Sequence, residues 1–177
     1  MGFINVRRIR LLALLLGALL MSACGFHLRE NANLPAAMQR VHVDARDGSN
    51  LQRKLARALE SAGVTIEDAR GPGIAELEVP TAAFSTDTLT SGGYARISEY
   101  AIHYAVRFRV TDASGRTLVP LQTINMSREF SYDASNTIGN ASQVEQIQKS
   151  LDDDMVQAIM FRLEAAGRHP AAAASAR

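Results

Sequence analysis

Twelve consecutive residues, 100–111, alternate without a break. Tyr100, Ile102, Tyr104, Val106, Phe108 and Val110 are bulky and apolar, whereas Ala101, His103, Ala105, Arg107, Arg109 and Thr111 are small or polar. A period of two is that of a pleated strand, so one set enters a core and the other faces solvent or a partner. Ala113-Ser114-Gly115-Arg116 supplies a hairpin turn, and residues 118–132 return as a long partner strand. In that strand Ile124, Met126, Phe130 and Tyr132 share a face. Arg128 is in phase with them, unless a bulge or an exposed strand end places it differently.

The remaining elements are shorter. Val41-His42-Val43-Asp44-Ala45 reads as a half-buried strand with His42 on its solvated side. Residues 49–62 read as a helix. Ser49 and Gln52 have capping-box spacing, Leu51, Leu55, Leu59 and Ala62 recur every three or four residues, and Gly63 supplies the stop. Arg53, Lys54 and Arg57 lie off that stripe and are expected to form a solvated face. Val64-Thr65-Ile66 begins a second extended region, interrupted by Gly71-Pro72-Gly73, and residues 74–81 alternate again. Pro80 cannot donate to a ladder, which puts that strand end at an edge or a bulge. Residues 85–93, rich in Thr, Ser and Gly, read as a loop.

Ser142 with Glu145 opens a helix expected to run to residue 166, with Val144, Ile147, Leu151, Met155, Ile159 and Leu163 as its packing stripe. Asp152, Asp153 and Asp154 invite a cation. Consecutive helical residues fan out around the axis, so a solvated face is the expectation. The order strand, helix, strand, long hairpin, helix implies an α+β fold: a two-layer sandwich of two helices on one face of a four-stranded mixed sheet, β-α-β-β-β-α. The other sheet face is left open for a partner.

The N-terminus adds a location. Arg7, Arg8 and Arg10 precede an apolar run over residues 11–21, and Ser22 and Ala23 precede Cys24, the single cysteine. A basic start, a short apolar middle and small residues at a cut make a secretory signal, and the run is far below the roughly 20 residues of a membrane span. Leu20-Met21-Ser22-Ala23-Cys24 resembles a bacterial lipobox, with Met21 in place of the usual Leu, Val or Ile. Cys24 is therefore the expected acylation site, and multiple acyl chains give stable anchoring. Gly25, by the same resemblance, permits transfer to the outer membrane. The expected organisation is a signal peptide (1–23), a lipidated tether (24–39), a sandwich domain (40–167) and a disordered tail (168–177).

Three of the 19 basic residues fall in the signal, leaving 16 against 18 acidic ones in a mature chain of 154 residues. That balance argues against nucleic acid as a partner. His27, His42, His103 and His169 are scattered, with no Cys or carboxylate at ligand spacing, so no metal, cofactor or catalytic centre is expected.

Cys24-Gly25-Phe26-His27-Leu28-Arg29, Leu34-Pro35, Ser98-Glu99-Tyr100, Arg128-Glu129-Phe130 and Tyr132-Asp133, in this order of strands and helices, resemble the lipopolysaccharide-assembly lipoprotein family LptE. The resemblance implies a non-enzymatic outer-membrane lipoprotein, facing the periplasm, that sits as a plug in the lumen of the β-barrel LptD. That pair forms the translocon delivering lipopolysaccharide to the outer leaflet. It also implies lipopolysaccharide binding and help in barrel folding. Cations suit the phosphates of lipid A, and the family's implicated basic residues lie in the loops before the long strand and before the last helix. Here those loops hold few charges. Arg96 is the first candidate, followed by Arg107, Arg109 and Arg128. A generic outer-membrane lipoprotein scaffold binding another envelope protein is the alternative.

Overall fold

A parallel and an antiparallel half share one sheet. The computed structural model describes residues 33–46, 49–90, 97–133 and 135–168, all within one compact unit, Asn31–Arg177. A 3-10 turn (Ala36–Met38) leads into β1 (Arg40–Ala45), α1 (Ser49–Ser61), β2 (Thr65–Glu67), β3 (Ala75–Thr90), β4 (Ile97–Thr111), β5 (Thr117–Asp133) and α2 (Thr137–Arg168). The sheet order is β2-β1-β3-β4-β5. β1 runs parallel to both of its neighbours, and β3, β4 and β5 form an antiparallel meander. The α+β class and the two helices on one sheet face are as expected. The sheet has five strands, not four. Thr65–Glu67 pairs on the outer side of β1, and the chain then crosses back to start β3 on the other side. Three residues hold too little alternation to register as a strand of their own.

Two stretches that read as breaks are strand. β3 continues through residues 85–90, because β4 supplies a full ladder out to Thr90 opposite Glu99 and β-branched threonines suit a pleated surface. Pro80 lies inside β3, not at its end. β1 pairing stops at Ala45 opposite Val79, with the Arg46 amide donating to the Val79 carbonyl. At the next residue the ladder with β4 gains an extra residue between Glu78 and Thr81. A proline at a bulge on a newly free edge removes no needed donor.

Helix ends follow local chemistry. At the end of α1 the Gly63 amide donates to Glu60 and the Val64 amide to Leu59, with Gly63 at φ 87°. This is a Schellman closure, which β-carbons oppose and glycine permits. Gln52 does not serve the expected capping box: its side-chain amide donates to the Val43 carbonyl at 2.9 Å, tying α1 to β1. α2 begins five residues before the expected Ser142. The Asn136 side-chain oxygen accepts from the Gly139 amide at 3.1 Å, an Asx cap that sequence spacing from Ser142 to Glu145 concealed. Buried Asn140 then exchanges two bonds with the Asp133 backbone at the end of β5.

The core lies between the sheet and both helices. Val41, Val43, Leu77, Val79, Tyr104, Val106, Phe108 and Val110 meet Leu51, Leu55 and Leu59 of α1 and Leu151, Met155, Ile159 and Leu163 of α2. Phe108 is fully buried, which alone contributes roughly 1.5–3 kcal/mol. Leu34 and Met38 already pack against this core, so it begins ahead of β1. α2 runs antiparallel to β5: Asn140 meets Asp133, Asp154 meets Arg128 and Arg162 meets Gln122.

Candidate partner and lipid-binding surface

Residues directly opposite one another in a ladder share a sheet face. The register therefore assigns the face away from both helices to His42 and Asp44 of β1, Glu76, Glu78, Thr81, Ala83, Ser85 and Asp87 of β3, Ala101 to Thr111 in alternation along β4, and Thr123, Asn125, Ser127, Glu129 and Ser131 of β5. Neither helix covers this face. At one end of it carboxylates and guanidiniums neutralise each other. Arg40 pairs with Glu67 at 2.7 Å, Arg70 with Asp44 at 3.0 Å and also with Glu76, and Arg109 with Glu78 at 2.7 Å. Toward the other end lie the short side chains of Ala83, Ser85, Ala101, Ala105, Asn125 and Ser127, with His103 paired to Asp87 at 3.2 Å. The result is a surface mostly of short side chains with paired charge at either end, from which Arg107 and Glu129 also project.

The sequence candidates separate on this frame. Arg107 stands on the open face between Thr81 and Thr123; it is exposed and, among the described residues, has no ion pair or hydrogen bond. Arg109 shares the face but is held by Glu78. Arg128 lies on the opposite, helix-bearing face, in phase with Met126 and Phe130 and with no bulge near it. Its guanidinium donates to Asp154 of α2 at 2.6 Å. The structure thus brings Arg107 and Arg109 together and sets Arg128 apart. Arg96 and Cys24 lie outside the described residues, as do the signal, most of the tether and the tail from residue 169.

A polar cluster on the helix side escaped the pattern reading. Asp152 is buried, accepts from the Asn50 side chain at 2.5 Å and lies 3.6 Å from the Lys54 ammonium. Lys54 also pairs with Asp153 at 2.8 Å and reaches the Lys149 carbonyl at 3.3 Å. The solvated faces expected for Lys54 and Asp152 are therefore corrected: the two helices close over both. The expected fanning of the three aspartates holds only for Asp154, which turns to β5; Asp152 and Asp153 converge on the Lys54 ammonium of α1. Tyr104, stacked under Phe84 at 3.9 Å, bonds to Asp152. Burial first, and then the charge and hydrogen bond of Asp152, raise the Tyr104 hydroxyl well above its ordinary value. The signal was in the spacing: Asp152 precedes Val156, Ile159 and Leu163 by four, seven and eleven residues, the period of the buried stripe.

Among the described residues no group of three or more His, Cys, Asp or Glu could hold a metal ion, and no helix is long and apolar enough to cross a membrane. The LptE lipopolysaccharide-assembly family profile matches residues 36–163, from the 3-10 turn through most of α2. The chain belongs to the LptE family. An LPS-assembly lipoprotein LptE from Yersinia pestis (strain Pestoides F) is 25% identical over 162 residues, covering 88% of this chain and 76% of the relative. Two solved structures share the fold. The solution structure of lipoprotein B from Nitrosomonas europaea has a TM-score of 0.66 at 24% identity, over 80% of this chain and 91% of that one. Rare lipoprotein B from Shewanella oneidensis has a TM-score of 0.61 at 19% identity, over 71% and 94%. The open sheet face and the cluster around Asp152 are therefore features of an LptE domain.

Proposed function

We propose that this LptE protein is an outer-membrane lipoprotein, acylated at Cys24, that seats in the lumen of an LptD-like β-barrel and supports lipopolysaccharide delivery to the outer leaflet. The role is non-enzymatic, as it is for the family. The observation that carries the reading is the family match over nearly the whole described domain, and the open face of short side chains is compatible with it. A sheet face made mostly of short side chains can approach an extended wall closely, and the ion pairs at its border leave Arg107 as a charge still open to an anionic partner.

Within this reading, lipopolysaccharide contacts the domain through guanidinium and phosphate. Arg107 leads among the described candidates because its charge is unmatched, and Arg96 stays with it. Arg109 and Arg128 would each have to release a carboxylate first. Co-purification from detergent-solubilised outer membranes is the test: a stoichiometric large β-barrel supports the plug role, and its absence leaves a generic lipoprotein scaffold. Arg107→Asp should weaken lipopolysaccharide binding about tenfold with unchanged thermal stability. Equal affinity would remove Arg107 from the site.

A further inference from the structure

β5 is an edge strand of 17 residues, and among the described residues no strand pairs with its outer side. The opposite edge, β2, has 3 residues, and brevity is one way in which sheet edges avoid association. In β5 only one end is guarded, by Pro120 and the register shifts beside it. From Gln122 to Asp133 the ladder with β4 is unbroken, so alternate residues turn an amide and a carbonyl outward along that length.

The strand is complementary to itself. When a second β5 runs antiparallel about Asn125, the middle residue of the strand, Ile124 lies opposite Met126 of the copy, Thr123 opposite Ser127 and Gln122 opposite Arg128. Apolar meets apolar, hydroxyl meets hydroxyl, and no like charges are opposed. A centre at Ser127 instead brings the two Arg128 side chains within diagonal reach on one face, which is unfavourable.

α2 marks the same centre independently. Asp154 and Arg162 reach Arg128 and Gln122 of β5, a pair symmetric about Asn125, and Ala158 lies midway between them on the same helix row. An axis through Asn125 therefore passes a small side chain. α2 packs over β5 and β4. Centred between them, it and its copy would stand two strand spacings apart, about 9.5 Å, which is within the roughly 8–10 Å of packed helices. Phe161, 65% exposed, follows Ala158 by three residues on that flank. A facing helix would cover it.

We infer that a second copy of this chain docks along β5, continuing the sheet through its edge and packing α2 against α2 in an isologous dimer. The dimer leaves both open faces exposed on one side. It requires neither acylation of Cys24 nor the barrel.

Disulfide capture tests the register. Asn125→Cys sets two thiols directly opposite, with about 4.5–5.5 Å between α-carbons, inside the range a disulfide can span. Ala105→Cys lies beside Asn125 in the ladder, on the same face, but its copy is three strand spacings away, about 14 Å. Each variant is purified in detergent without the barrel and oxidised beside the natural protein, whose single Cys24 gives the background. Asn125→Cys should yield at least about tenfold more cross-linked dimer than Ala105→Cys. Mixing Thr123→Cys with Ser127→Cys should give the mixed dimer in preference to either alone. By light scattering the natural protein should have the mass of two chains and Phe161→Glu, a change at an exposed side chain, the mass of one. Equal yields at 125 and 105, or a one-chain mass for the natural protein, would overturn the inference, and equal high yields would place the contact on the open face. The barrel reading is tested separately by co-purification, so either can fail without the other.

Discussion

Tyr104 and Ala105 are neighbours in β4 and point to opposite sides of the sheet. Tyr104 enters the layer between the sheet and the helices, where the core side chains pack and buried Asp152 is held by Asn50 and Lys54. Ala105 belongs to a layer where most side chains are short and several charges are paired with one another, while that of Arg107 is not. The first layer is built for stability and tolerates little change, whereas the second contributes little to folding and is free to be shaped by whatever meets it.

Substitutions on the two faces should differ accordingly. Phe108→Ala on the covered face should cost about 3–5 kcal/mol, measured as a fall in the urea midpoint with unchanged slope. Ala105→Ser on the open face should stay within about 0.5 kcal/mol. Comparable losses at both positions would mean that the open face is covered in the free protein.

A smaller effect probes the polar cluster that locks the helices to β4. Asp152→Ala should cost about 2–3 kcal/mol, because Asn50, Tyr104 and mostly buried Lys54 lose their common acceptor. Tyr104 has a pH signature of its own. Its raised hydroxyl means that the folded state retains a proton the unfolded chain gives up near pH 10. Its stabilising contribution is therefore complete below about pH 10 and is lost as pH rises toward the folded value. Thermal melts from about pH 9 to about pH 11 should fall more steeply for the natural protein than for Tyr104→Phe.

How much of this was legible in the sequence depended on how much of the pattern each element carries. Twelve alternating residues specify β4 without help, and Gly63 after a leucine stripe specifies where α1 stops. Three residues could not announce β2. Residues 85–90 look like a loop because Ser, Thr and Asp are ambiguous until β4 is placed beside them. Asp152 looked solvated because its partners, Asn50 and Lys54, are about a hundred residues away in sequence. For the candidate site, phase alone set Arg107 and Arg109 on one face and Arg128 on the other, but it could not show that Glu78 and Asp154 already occupy two of the three.

The smallest expected effect lies in the β4–β5 turn. The Asp112 carboxylate accepts from the Ser114 hydroxyl and the Ser114 and Arg116 amides, which lower its pKa from 3.8 to about 2. The contribution is present above the ordinary value and is lost as pH falls through about 2. Amide exchange at Gly115 and Arg116 should accelerate over that acid window while exchange in the β4 core does not.

The division of faces is tested most directly by placing equal bulk on each side and measuring the partner. Ser127→Trp lies on the open face and Gln157→Trp on the exposed side of α2. Both variants should melt with the natural protein. Co-purification of the outer-membrane barrel should drop for Ser127→Trp and persist for Gln157→Trp. A full barrel yield with Ser127→Trp, or loss only with Gln157→Trp, would contradict the assignment of the open sheet face as the surface that meets the partner.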